Sequence, residues 1–439
     1  MRDRSTTVDA VRAAARPLAG VDDLDPLLER IGDARFVLLG EASHGTAEFY
    51  RWRAELTKRL ITERGFSFVA VEGDWPDCHR LHCCLAGAPG QPDDPEEVLR
   101  SFDRWPRWMW ANEEVADFAR WLRGFNAQRF ADVPVGFHGL DVYSLWDSLR
   151  AVLAYLREHE PDHVDAALEA MRCFDPYGED PQAYGYARAI VPSGCEDDVV
   201  RMLAQLRGGA DETPLPGLDA RFVARQNAEI VAEAERYYRE MVRGGSASWN
   251  VRDCHMTDTL DRLAEVYGPE SKAVVWEHNT HIGDARATDM AAAGMVNVGQ
   301  LVRERHAGDG VVAVGFGSHR GTVTAADFWG APPRHMRVPE ARRGSTEALL
   351  HEAVPDRNAV FVFGGPDSDG GWASEVSDHR AIGVVYRPDA ERLGNYVPTV
   401  LSRRYDAFVH CDYTTALTPL HPLEHEPVPR EAETYPSGH

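Results

Sequence analysis

Nowhere does the chain carry an apolar run approaching the ~20 residues that a membrane-spanning helix needs. Residues 1–18 are rich in Arg and Ala and amphipathic, and they lack the apolar centre of a signal peptide. A cytoplasmic protein is therefore expected. Basic residues are in deficit. Against 70 Asp and Glu stand 47 Lys and Arg, a net charge of −23. So acidic a chain repels phosphate backbones and anionic lipid, which argues against nucleic-acid and membrane partners. Cysteine is sparse: seven residues, at 78, 83, 84, 173, 195, 254 and 411, an odd number without zinc-ribbon spacing. Reduced thiols in a reducing compartment are expected. There is no G-x-S-x-G elbow, no Walker A loop, no G-x-G-x-x-G after a strand, and no internal repeat. A serine-triad hydrolase, ATP chemistry and NAD chemistry are thereby disfavoured.

What is present reads as an α/β protein. With 439 residues, 44% hydrophobic and 27% charged, the chain suits one large domain with an insertion, or two domains. Residues 35–39 (RFVLL) form a short apolar run, 46–64 a helical pattern, and 66–71 (FSFVAV) a second apolar run. Strand, helix, strand is a βαβ unit, and such units build parallel sheets. Further strands are expected at 273–276, 311–316, 359–363, 381–386 and 407–410. Helix-period patterns dominate 95–265, as at 113–125, 147–157, 164–173 and 221–241, with loops at 174–178 and 208–217. The expected architecture is a mostly parallel central sheet with flanking helices, from 25–90 and 270–420, carrying the active site. A large helical insertion at 95–265 caps it, and a Pro-, Glu- and His-rich tail at 421–439 is read as disordered.

Three apolar runs end in the same kind of chemistry. The first leads into Gly40-Glu41-Ala42-Ser43-His44-Gly45, the second into Glu72-Gly73-Asp74-Trp75, the third into Glu277-His278-Asn279-Thr280-His281. Ligands of open parallel sheets bind at the carboxyl ends of strands, where all three would meet. A carboxylate beside an imidazole fixes its tautomer and favours its protonated form, as a general base requires. The first loop can equally serve as a helix cap through Ser43 or Thr46, with Glu48, and Asp74 can start the following helix. Phe49, Arg53, Leu56 and Leu60 share the apolar face of the first helix. Arg53 is thus expected to point inward, toward Glu41 or Glu72. The stretch Cys78-His79-Arg80-Leu81-His82-Cys83-Cys84 is read as buried, inert thiols in preference to a metal site.

These residues resemble the erythromycin esterase-like family, also labelled succinoglycan biosynthesis protein homologues. The resemblance rests on GEASHGTAEFYRWR (40–53), VEGDWPD (71–77), WNVRDCHM (249–256), WEHNTHIGDAR (276–286) and GFGSHRGTVTA (315–325). It continues through MRV, GSTEALLH and IGVVYRP, and covers about residues 25–420. It implies hydrolysis of an ester or lactone, in known members the macrolide ring, by an activated water without an acyl-enzyme. It assigns the general base to His44, active-site carboxylates to Glu41 and Glu72, an arginine to Arg53 and a histidine pair to His278 and His281. Asp74, Trp75, Arg252, Glu277 and Asn279 are expected to contact substrate. Glu277 departs from the family pattern, which has a small residue there. No cofactor is expected, because Arg53 and a protonated histidine can offset Glu41 and Glu72. The alternatives are a metal-dependent hydrolase with Zn²⁺ or Mn²⁺ on Glu41, His44, Glu72, His278 and His281, a natural-product tailoring enzyme using the same acid–base set, and a binding protein for haem or another small molecule.

Overall fold

Four strands of the chain are buried end to end, and a computed structural model gathers them into one sheet. The structure describes residues 4–129, 133–178, 180–190, 194–207, 218–364 and 371–422. Among the described residues eleven strands are formed: β1 (Arg16–Pro17), β2 (Phe36–Leu39), β3 (Phe68–Asp74), β4 (Gly136–Asp141), β5 (Ala273–Trp276), β6 (Val311–Ala325), β7 (Arg334–Val338), β8 (Ala359–Val362), β9 (Val376–Arg380), β10 (Tyr396–Val400) and β11 (Ala407–Thr414). Nine of them make one sheet in the order β1-β8-β11-β6-β2-β5-β3-β4, with β7 paired to β6. The run from β11 to β4 is parallel throughout. β8, β1 and β7 add antiparallel pairs.

Both faces of this sheet are covered, which is why its strands read as continuous apolar runs. Val37, Leu39, Val69, Val71, Val274 and Trp276 face one core, beneath the helices Ala47–Arg64 and Glu113–Ala127. Their alternates Phe36, Leu38, Phe68, Ala70, Ala273 and Val275 face another, beneath the helix Ala247–Tyr267. The period-two alternation of strand side chains makes this division. A third core lies in the helical region, where Leu145–His159, Val164–Phe174, Glu196–Arg207 and Ala220–Met241 pack together.

Several features depart from the sequence expectations. Within 95–265, β4 belongs to the sheet, so that stretch is not helical throughout. Residues 381–386 do not form a strand. Ile382 and Val385 make single bridges to Ser43 and Ala326, while β9 just before them pairs with β10 in a separate two-stranded sheet. Cys173 and Cys195 are joined in a disulfide, against the expectation of reduced thiols; the other five cysteines are free. No helix among the described residues is long and apolar enough to cross a membrane. The expected loop at 208–217 and, beyond residue 422, the expected disordered tail lie outside the described residues.

Candidate active site

The loop after β2 is drawn tightly into the sheet edge. A Cβ on Gly40 would lie 2.1 Å from Asn279 Oδ1, and one on Gly45 would lie 1.8 Å from the Thr324 carbonyl. Only glycine permits approaches this close. Between them Glu41 and His44 face one another, with His44 Nδ1 2.8 Å from Glu41 Oε1. The imidazole donates from Nδ1, so in the neutral ring Nε2 carries the lone pair. The only hydrogen bond this ring makes to a described residue is through Nδ1, so Nε2 is uncommitted there. Tyr50 holds the loop from behind, its hydroxyl 2.9 Å from the carbonyls of both His44 and Met109, which share its one proton. Thr46 takes the N-cap position of the helix without a capping bond of its own, and its hydroxyl pairs with that of Ser43.

Arg53 points inward as its helix face requires. It is fully buried, with its guanidinium nitrogen 2.6 Å from Glu41 Oε2. The contact is a close ion pair without hydrogen-bond alignment. The rings of Tyr50 and Trp276 lie 4.4 and 5.2 Å from the guanidinium carbon, so cation–π attraction replaces part of its lost hydration.

The second group forms around Glu72. Arg252 grips Asp141 with two nitrogens, at 2.9 and 2.6 Å, and reaches Glu72 Oε1 at 2.7 Å. Its third nitrogen lies 3.0 Å from His281 Nε2. A guanidinium only donates, so His281 Nε2 accepts and the ring proton sits on Nδ1, which donates to Asp253 at 2.9 Å. Trp249 stacks on His281 with ring centroids 4.5 Å apart. Glu72 Oε2 accepts the backbone N–H of His278 at 2.8 Å. Burial alone would raise Glu72, but His281 and His44 in their protonated forms, the Arg252 guanidinium and the His278 N–H hold its pKa well below the ordinary carboxylate range. Asp141 is lowered by the same arginine against its own burial.

His278 joins the two groups. Its ring centroid lies 4.9 Å from that of His44. Its Nδ1 accepts from the Thr280 backbone N–H and meets the Thr280 hydroxyl at 2.8 Å, so its proton sits on Nε2. That nitrogen is buried near the Ala42 carbonyl but makes no aligned hydrogen bond. Burial and the neighbouring His44 push the pKa of His278 far down. Burial opposes protonation of His44 as well. There, however, Glu72 and the hydrogen bond to Glu41 outweigh it, and the pKa is raised. The two adjacent imidazoles thus differ: one has a free acceptor and a raised pKa, the other a free N–H and a lowered one.

The expected substrate contacts fall in varied places. Arg252 is engaged by Asp141, Glu72 and His281. Asp74 occupies the N-cap position of the helix Trp75–Leu85, but its side chain pairs with Arg104, not with the helix. Trp75 turns away from the cluster and stacks on His138 and His79 in the core. Asn279 is fully buried and spends its amide on Phe316 and His379. Glu277 is fully buried with neither oxygen hydrogen-bonded, and burial beside Glu72 and Asp253 raises its pKa far above normal. Asp141 was missed by sequence reasoning, and so was the orienting role of Asp253. Both contact the site across the fold, where residue spacing carries no signal. Among the described residues no group of three or more His, Cys, Asp or Glu is arranged to hold a metal ion.

Comparison with known proteins gives this arrangement a family. The model of the family described as Erythromycin esterase matches residues 61–414. The Erythromycin esterase type II of Escherichia coli is 24% identical, over 79% of this chain and 85% of its own. A solved succinoglycan biosynthesis protein superposes with a TM-score of 0.75 at 21% identity, over 94% of this chain and 98% of that one. A solved structure of an erythromycin esterase mutant in its open conformation superposes with a TM-score of 0.65 at 17% identity, over 91% and 95%. The two structural likenesses establish the fold.

Proposed function

Because the chain belongs to the erythromycin esterase family, we propose that it hydrolyses a carboxylic ester or lactone with His44 as general base. The esterase names of the family and of the relative support a hydrolase. The observation that carries the finer reading is the Glu41–His44 pair at 2.8 Å, with Nε2 unengaged. His44 Nε2 takes a proton as a water oxygen bonds to the ester carbonyl carbon. Glu41 stabilises the imidazolium that results. The N–H of His278 Nε2, on the ring beside His44, is the donor assigned to the charge developing on the carbonyl oxygen. Collapse breaks the carbon–oxygen bond of the alcohol, and His44 returns its proton to the departing alkoxide. No acyl-enzyme is needed.

The reading also needs no metal. Glu41 is already paired with Arg53, and Glu72 with Arg252. A divalent ion placed among them would be repelled by both guanidinium groups. The test is turnover of erythromycin and of p-nitrophenyl butyrate by wild type and by His44→Ala, each before and after treatment with a strong chelator verified by elemental analysis. Activity lost in the variant and kept after chelation is expected. Full activity in His44→Ala overturns the base assignment. Loss on chelation restored by Zn²⁺ or Mn²⁺ overturns the metal-free reading.

A further inference from the structure

Behind the Glu41–His44 loop lies a second carboxylate–imidazole pair that the proposed chemistry does not use. Glu347 and His379 are both fully buried. Glu347 Oε1 accepts from His379 Nδ1 at 2.5 Å and from the Arg380 backbone N–H at 2.9 Å. Burial works against the Glu347 charge, but His379 and Arg380 hold its pKa down to about 2. Since His379 donates from Nδ1, its Nε2 accepts, and the donor it meets is Asn279 Nδ2 at 3.2 Å. The same amide nitrogen donates to the Phe316 carbonyl at 2.6 Å, and Asn279 Oδ1 accepts the Phe316 N–H at 3.2 Å. The orientation of this amide is therefore fixed from both ends. From there two contacts reach the base loop. The Asn279 N–H donates to the Glu41 carbonyl at 2.9 Å, and Asn279 Oδ1 fills the space that a Cβ of Gly40 would take. Arg404 ties down the Asn279 carbonyl at 3.0 Å.

We propose that Glu347, His379 and Asn279 form a buried positioning relay that sets the aim of the Glu41 carboxylate at His44. The inference rests on the assignment of His44 as base for its catalytic meaning, but the geometry it predicts is separable from turnover. Glu347 selects the Nδ1–H tautomer of His379. That tautomer offers an acceptor to Asn279, and the amide orientation so fixed holds the Gly40–Glu41 turn against β5 and β6. A carboxylate that drifts from His44 Nδ1 favours the imidazolium less, and a base misplaced by about 1 Å can lose up to ~10²-fold in rate.

The experiment is a pH titration of the His44 imidazole by NMR, its signals assigned by their loss in His44→Asn. It is run on wild type, His379→Phe and His379→Gln, with a thermal melt of each. Phenylalanine fills the site but supports neither hydrogen bond. Glutamine can donate to Glu347 through its amide and accept from Asn279 through its carbonyl. His44 is expected to titrate at lower pH in His379→Phe, with kcat down about 10-fold and KM little changed. His379→Gln is expected to restore both. If His379→Phe does not fold, Glu347→Gln serves in its place, since it frees the His379 tautomer while keeping the volume; the same downward movement is expected. An unmoved His44 titration in a folded variant overturns the relay, whatever happens to turnover. Full activity in His44→Ala would instead overturn the base assignment and leave the relay standing.

Discussion

The two halves of the site differ in how their polar atoms are spent. Around Glu72, every strong group is committed: Arg252 to Asp141, Glu72 and His281, and His281 to Asp253. Around Glu41, Arg53 is held by charge alone, and His44 keeps Nε2 uncommitted on a ring whose pKa is raised. A saturated network resists rearrangement, because each group lost leaves a buried partner unpaired. An uncommitted lone pair beside it is what a reacting water can use. The Glu72 half is thus the frame and the His44 half the working part. Substitutions should separate the two by acting on stability in one and on rate in the other.

His44→Ala should give the largest effect, a fall in kcat of about 10²–10⁴, with the melting temperature little changed because the loop is held by Tyr50 and its glycines. Arg252→Ala should do the reverse in its primary effect. It leaves Glu72 and Asp141 buried without their cation, at a cost of about 3–5 kcal/mol, measured by chemical denaturation. A variant melting like wild type would show that the frame is not electrostatic. Its pH dependence carries a sign. Glu72 is depressed in the fold, so its stabilising contribution is present above the ordinary carboxylate pKa and is lost as pH falls through the depressed value. The acid side of the stability profile should therefore flatten in Glu72→Gln.

Glu41→Gln tests the working half more finely. His44 acts as a base only when neutral, so its raised pKa places the acid limb of kcat/KM above the ordinary histidine value of about 6.5. Removing the Glu41 charge should move that limb to lower pH. Turnover on the plateau should fall by about 10–100-fold, as for other partners that orient an imidazole. A limb that stays in place would detach it from His44.

How much of this was legible in the sequence follows from the range of the interactions. Each of the three strand-end motifs is an apolar run buried on both faces and stopped by charge, and local pattern is enough to find such a unit. Arg53 was readable because helical spacing alone puts it on the face of Phe49 and Leu56. β4 was not. Its sequence GFHGLD has two glycines and two polar residues in six, and only pairing with β3 makes it a strand. Asp141, at its end, meets Arg252 across 111 residues. Trp75 was misleading because it adjoins Asp74 in the chain, yet the helix that begins there rotates it into the core beside His138. Residues 381–386 have a strand's composition, but their amides are claimed one at a time by the Ala42 and Ala326 carbonyls. Cys173 and Cys195 carry no spacing signature either; the helices they flank or end in bring them together.

Glu277 lies between the two halves and should give the smallest effect of all. It follows β5 directly and is fully buried, with Glu72, Asp253 and Asp141 as its charged neighbours of like sign and Arg252 as the cation. That cation is already shared by Asp141 and Glu72. A third carboxylate charge would find no partner, and burial penalises it further, so Glu277 persists as the neutral acid. Glutamine matches the neutral acid in size and charge. Glu277→Gln should therefore change stability by no more than about 1 kcal/mol and leave the pH profile in place. Glu277→Ala should cost more, since it opens a cavity that the packed surroundings cannot close. The comparison is made by denaturant melts and kcat/KM profiles of the two variants beside wild type. A loss of more than tenfold in turnover for Glu277→Gln, at unchanged stability, would mean that the ionised carboxylate is what the site uses.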